Sequence, residues 1–120
     1  MPNEIRLYHN PRCSKSRAAL QWLQNSGAEF EVVDYQKNPP DAETLSQILQ
    51  RLNLRASELL RRGEAQFKSL KANVDKCSES EVIDLMVQYP ILIERPIVVT
   101  ADGAAIGRPL ENVIELLDDD

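Results

Sequence analysis

The sequence predicts an α/β fold: a four-stranded mixed sheet flanked by helices and interrupted by an all-helical block over about residues 41–90. Three observations carry that reading. The N-terminal third reads strand, helix, strand. The middle holds apolar residues at helical spacing between turn signals. The stretch after Pro96 reads strand, tight turn, strand, helix.

"IRLY", Ile5 to Tyr8, alternates apolar and polar residues as a short strand does, and "NPRCSKS" follows with loop and helix-start residues. In the helix, Ala19, Leu20 and Leu23 share a face, and Gly27 is placed as a left-handed C-terminal cap. "EFEVVDY", around Phe30 to Tyr35, is the second strand, so the two strands and their crossover form a right-handed βαβ unit with parallel strands.

"NPPD" then breaks the chain, and Leu45, Ile48, Leu49 and Leu52 fall at i, i+3, i+4 and i+7 of an amphipathic helix. Ser57 to Arg62 is expected as a short helical turn ending at Gly63, and Phe67 and Leu70 mark another. Ser78 with Glu81 makes a capping box before Val82, Ile83, Met86 and Val87, and Pro90 is expected to end the helical block. "IVVT" reads as a buried strand, "ADG" as a turn with Gly103 free to take positive φ, and "AAIG" as the returning strand. Pro109 is expected at the first position of a last helix lined by Leu110, Val113, Ile114 and Leu117. The order βαβ, helical block, ββα is the thioredoxin-like plan, and 120 residues suit a single domain spanning 1–120.

Composition narrows the function. No apolar run approaches the roughly 20 residues of a membrane span, and "MPNEIRLYHN" lacks a signal peptide's apolar region, so a cytoplasmic protein is expected. A net charge of −5 argues against nucleic-acid binding. The distribution is uneven: from Ile5 through Ala28 there is no Asp or Glu, while Arg6, Arg12, Lys15 and Arg17 all fall there, a pattern that suggests a local anion site and that a solvated basic face would share. Two cysteines are too few for a disulfide scaffold. One histidine, with no second cysteine near Cys13, leaves no metal-binding spacing.

Cys13 lies where the first strand ends and the helix begins, facing unpaired N–H groups and the positive end of the helix dipole. An ordinary thiol of pKa about 8.5 is roughly 3% ionised at neutral pH, whereas one near 6.5 is about three-quarters thiolate. His9, Arg12, Lys15 and Arg17 nearby favour the second state. A Cys-x5-Arg phosphatase loop would need arginine where Ala19 stands, and a Cys-x-x-Cys dithiol would need cysteine where Ser16 stands. Cys13 therefore needs an outside thiol, or the distant Cys77, to be reduced. Arg95 before Pro96 and Arg108 in "GRP" stand at loop positions that a thioredoxin-like sheet carries towards the first helix, and Arg61 or Arg62 is a further cation from the helical block.

Taken together, "YHNPRCSKSR", "NPP", "LLRR", "ILIERPIVVT" and "IGRPLE" give a chain that resembles the glutaredoxin-coupled arsenate reductases, most closely their short YfgD-like branch. The resemblance covers almost the whole chain. It implies a thioredoxin-like fold with an all-helical insertion and a cis peptide bond before Pro96. It also implies that Cys13 is the nucleophile, that His9 helps keep it ionised, and that Arg61, Arg95 and Arg108 bind the oxyanion, with Arg62 a neighbour. The implied reaction is attack of Cys13 on arsenate, reduction by glutathione and glutaredoxin, and release of arsenite by a monomer with no bound cofactor. The active loop differs from that of the longer reductases in carrying Arg12 and Lys15. Two alternatives use the same fold. One is a thiol oxidoreductase on another oxyanion or on glutathione mixed disulfides. The other is an Spx-like regulator that binds RNA polymerase, against which Ser16 stands, since such proteins usually carry Cys-x-x-Cys.

Overall fold

A computed structural model of the chain describes residues 5–61, 63–70, 74–101 and 103–118. They fall into two compact units, Met1–Asn38 with Arg95–Asp120, and Pro39–Glu94.

The first unit carries the sheet. Strands β1 (Arg6–His9), β2 (Glu31–Asp34), β3 (Ile97–Val99) and β4 (Ala104–Ile106) lie in the order β2-β1-β3-β4. β1 runs parallel to β2, with Leu7 opposite Val32, and antiparallel to β3, with Leu7 opposite Val98; β3 and β4 are antiparallel. Helix α1 (Ser14–Ser26) makes the crossover, and Gly27 closes it at φ 78°, a conformation glycine takes without a Cβ penalty. Leu7, Ala19, Leu23, Val98 and Val113 form the fully buried core, with Trp22, Phe30 and Leu110 packed around it. The alternation read in "IRLY" does not translate into one wet face. Leu7 and Tyr8 point to opposite faces of β1 and both are buried, because β1 is a central strand. β2 is an edge, and its Val32 is the exposed large apolar residue among those described.

Helix α6 (Glu111–Asp118) closes this unit two residues later than the sequence suggested. Pro109 follows a cis bond and belongs to the turn that enters the helix, its carbonyl accepting from Asn112 N–H at 3.1 Å. Leu110, Val113, Leu116 and Leu117 meet the core, so Leu116 takes the place expected of Ile114. Asn112 Nδ2 also donates to the carbonyl of Ile106 at 3.1 Å, capping a backbone acceptor on edge strand β4. The turn between β3 and β4 is closed by Thr100 N–H donating to Gly103 O at 2.8 Å; Asp102 lies outside the described residues. A Cβ at Gly103 would stand 3.1 Å from Leu116 Cδ1, so close packing, rather than the positive φ expected, is what the structure offers for the glycine.

The second unit contains α2 (Ala42–Leu52), α3 (Ala56–Leu59), α4 (Ala65–Leu70) and α5 (Glu79–Gln88). Asp41 caps α2, its carboxylate accepting from Thr44 N–H at 2.8 Å, and Leu45, Ile48 and Leu49 are buried. Asn53 ends α2 in the left-handed conformation at φ 58°. The Ser78–Glu81 capping box starts α5 in both directions, at 3.2 and 2.9 Å. Two sequence expectations change here. The turn expected over Ser57 to Arg62 is α3, ending at Leu59, because Leu60 leaves it to form a β-bridge with Ile93; Arg62 lies outside the described residues. Pro90 does not end the helical run but opens a further 3-10 turn, Pro90–Leu92, where a first-turn proline loses no hydrogen bond.

Candidate active site

The site is built on the end of β1 and the start of α1. Asn10 turns the chain, its carbonyl accepting from Cys13 N–H at 3.0 Å and its side-chain oxygen from Arg12 N–H at 3.0 Å. Arg17 braces the loop from below, donating from Nη1 to the carbonyl of Pro11 at 2.9 Å. Cys13 thus occupies the N-cap of α1 with extended φ and ψ of −97° and 123°. In that position its sulfur draws on the N–H groups of Lys15 and Ser16, donors that a helix start leaves without intrahelical partners.

Two arginines from the far end of the chain reach the same sulfur. Arg108 Nη2 donates to Cys13 Sγ at 3.1 Å, while its Nε donates to the carbonyl of Arg95 at 2.7 Å. Arg95, 7% exposed, also hydrogen-bonds the sulfur. Burial pushes the Cys13 thiol up. The Ser16 N–H, the Arg95 guanidinium, the Lys15 N–H and the Arg108 charge outweigh it, so the thiol titrates below its ordinary value.

Both arginines precede prolines with cis peptide bonds, Arg95–Pro96 and Arg108–Pro109. Gly107 sets their approach. Its N–H donates to Pro96 O at 2.9 Å, and a Cβ there would stand 2.8 Å from Pro96 Cγ, so only glycine lets the chain pass this close.

His9 meets Ser16, its Nδ1 lying 2.6 Å from Ser16 Oγ. Ser16 Oγ accepts from Asn10 N–H at 3.0 Å. The hydroxyl keeps one proton and a second lone pair, so it serves His9 Nδ1 in either neutral tautomer, accepting from an Nδ1–H or donating to a bare Nδ1. Burial lowers the His9 pKa most, with Arg17 adding to it against Asp34 and Ser16. His9 thus reaches Cys13 through Ser16, whose backbone faces the thiol.

Ser16 and Asn10 are the residues that sequence reasoning passed over. In the sequence Ser16 stands out only as the residue that breaks a Cys-x-x-Cys dithiol. The available signal was its place on the apolar stripe with Ala19 and Leu23: all three are buried, and a buried serine needs a partner. Arg61 belongs to the helical unit, where its Nε pairs with Glu64 at 3.2 Å and its Nη1 with Glu94 at 3.0 Å. Cys77 is half-buried, and neither it nor Cys13 is in a disulfide. Among the described residues no group of His, Cys, Asp and Glu is placed to hold a metal, and no helix is long and apolar enough to cross a membrane.

Residues 8–116 match the model of the ArsC family, a span that includes every residue of this site. The chain belongs to the ArsC family. Within it, the chain is 46% identical to YfgD from Escherichia coli (strain K12), covering 98% of this chain and 99% of that protein. It is 39% identical to the arsenate reductase of Acidiphilium multivorum, over 98% of this chain and 83% of that one. The solved structure of the arsenate reductase from Vibrio cholerae superposes with a TM-score of 0.90 at 37% identity, over 96% of this chain and 98% of that chain. The ArsC fold is thioredoxin-like, as the order of strands and helices suggested.

Proposed function

We propose that the chain reduces arsenate to arsenite through a covalent adduct on Cys13, with glutathione and glutaredoxin supplying the electrons. The single observation that carries this reading is the Arg108 guanidinium at 3.1 Å from Cys13 Sγ, with Arg95 on the same sulfur. Such a sulfur is biased towards the thiolate, and the cations that bias it also stand where an oxyanion must approach.

The Cys13 thiolate attacks arsenic; one arsenic-bound oxygen takes up protons and leaves as water, and a sulfur–arsenic(V) bond forms. Arg95 and Arg108 neutralise the oxyanion and the charge that builds on it, and the family resemblance adds Arg61 as a third oxyanion-binding cation. Removing one such preorganised donor costs roughly a hundredfold in turnover. A glutathione thiolate then attacks Cys13 Sγ. The sulfur–arsenic bond breaks with its electron pair on arsenic, which leaves as arsenite, and Cys13 is left in a disulfide with glutathione. A glutaredoxin thiolate takes over the glutathionyl group and returns the Cys13 thiolate, so two thiols supply the two electrons that arsenic gains. His9 acts on this cycle as a positioning residue through Ser16.

The whole chain works as one catalytic domain, the helical unit being an insertion that contributes Arg61, in a monomer acting in the reducing cytoplasm. Ser16 supports this reading over an Spx-like redox switch, because its hydroxyl is engaged by His9 and Asn10 where a second cysteine would have to stand.

The test is NADPH oxidation in the presence of arsenate, glutathione, glutaredoxin and glutathione reductase. Arsenate-dependent turnover that vanishes in Cys13→Ser and falls about a hundredfold in Arg95→Ala is the expected result. Turnover that survives in Cys13→Ser would remove the adduct from the mechanism. No turnover, with Cys13 rapidly alkylated, would move the substrate to another oxyanion or to glutathione mixed disulfides.

A further inference from the structure

We propose that Arg12 and Lys15 form a charged collar around Cys13 that selects an anionic thiol, or the disulfide made from it, as the second reactant. This rests on the reading of Cys13 as the nucleophile and adds the specificity of the step that follows the oxyanion.

The cations near the sulfur divide into two sets. Arg95 is buried and Arg108 half-buried, and both are turned onto Cys13, so they serve a small anion at the sulfur itself. Arg17 is committed to the Pro11 carbonyl. Arg12 and Lys15 are different: both are exposed, and among the described residues neither side chain makes an ion pair or a hydrogen bond. They flank Cys13 in the chain by one residue on one side and two on the other, in a segment without a single carboxylate from Ile5 to Ala28. In a chain of net charge −5, this acid-free stretch is a local concentration of positive charge next to the sulfur, which favours an incoming anion there. Exposed, flexible cations reach charges carried some distance from a reacting sulfur, as on a thiol bearing carboxylates.

The side chains are separable from the machinery of the thiol. Arg12 and Lys15 hold the loop and the sulfur through their backbone N–H groups, Arg12 to Asn10 Oδ1 and Lys15 towards Cys13, which a change of side chain leaves in place.

Disulfide exchange tests selection without arsenate. The Cys13 thiolate attacks one sulfur of RS–SR, the Cys13–SR bond forms, the RS–SR bond breaks, and RS⁻ leaves with the electron pair, so no further oxidant or reductant is consumed. Three probes differ in charge: glutathione disulfide is anionic, bis(2-hydroxyethyl) disulfide neutral, and cystamine cationic. Formation of the Cys13 mixed disulfide is followed by mass spectrometry, each rate divided by that of the same reagent with a cysteine-containing peptide. A cation at roughly 8 Å in water changes the encounter with one charge about twofold, so removing both is expected to change selectivity about fivefold at low salt. In Arg12→Gln/Lys15→Gln the rate ratio of glutathione disulfide to the neutral probe should fall about fivefold, that of cystamine should rise by a similar factor, and both differences should shrink as salt is added. Ratios equal to those of the unaltered chain, with Cys13 reactive, would overturn the collar and leave the nucleophile standing. A Cys13 inert towards all three probes would overturn both.

Discussion

Arg108 Nη2 lies 3.1 Å from Cys13 Sγ although 95 residues separate the two in the chain. The same guanidinium grips the carbonyl of Arg95 at 2.7 Å, so one planar fork ties the thiol to the loop that carries the second site arginine.

Arg108→Lys keeps the charge but gives up the fork, because an ammonium cannot hold the carbonyl and the sulfur in the same fixed plane. Turnover is expected to fall roughly tenfold to a hundredfold, and the midpoint of Cys13 alkylation to move to higher pH, while the fold persists. An unshifted alkylation profile would show that Arg108 does not hold the thiolate.

The depressed thiol links pH to stability. With the folded value below that of an ordinary thiol, the unfolded chain keeps its proton where the folded chain has lost it. The resulting stabilisation is fully present above the unfolded value of about 8.5 and is lost as pH falls through the folded value. Urea midpoints should therefore rise with pH towards that limit in the unaltered chain relative to Cys13→Ser. Parallel pH dependences in the two proteins would contradict the shift.

His9 gives the opposite test on a base. Its folded pKa is lowered, first by burial, so the unfolded chain takes up the proton earlier as pH falls. Its contribution is lost from about pH 6.5 downward, reaching its limit below the folded value. As the single histidine of the chain, it can be followed by NMR without assignment ambiguity. The imidazole titration midpoint is expected below 6.5, and a midpoint above it would contradict the dominance of burial.

Ser16→Ala removes the group that accepts from Asn10 N–H and meets His9 Nδ1. Two buried polar atoms are left behind, and the cost is expected at about 1–3 kcal/mol in denaturant unfolding. Cys13 alkylation should slow with it, because the loop that holds the sulfur at the N-cap loses its anchor. Unchanged stability would mean that water replaces the hydroxyl.

Gly107→Ala tests the approach of the two proline loops. Its methyl would meet Pro96 Cγ at 2.8 Å and Val113 Cγ2 at 3.4 Å, a crowding expected to cost about 1–3 kcal/mol. Because residue 107 immediately precedes Arg108, alkylation of Cys13 should also weaken towards the Arg108→Lys level. Loss of stability with an unaltered alkylation profile would separate packing from the site.

Local patterns carried well because their causes are local. The capping box at Ser78 and Glu81, the left-handed Gly27 and the stripe of Leu45, Ile48 and Leu49 depend on residues within one or two turns. The misread ends have different reasons. Leu60 leaves its helix to pair with Ile93, a segment far away in the chain, whereas Pro109 enters α6 through a local turn in which its carbonyl accepts from Asn112 N–H. Ser16 looked like a missing cysteine because its partners, His9 and Asn10, come to it only when β1 and α1 pack.

By itself the sequence determined the order of strands and helices, the place of Cys13 at a strand-to-helix junction, and the acid-free segment around it, because these follow from spacing and composition along the chain. Only the tertiary structure decided which cations meet the sulfur and which donors serve His9. Arg95 and Arg108 reach Cys13 because antiparallel β3 and β4 return the distant chain beside β1. A one-dimensional pattern holds no distance between residues 95 positions apart.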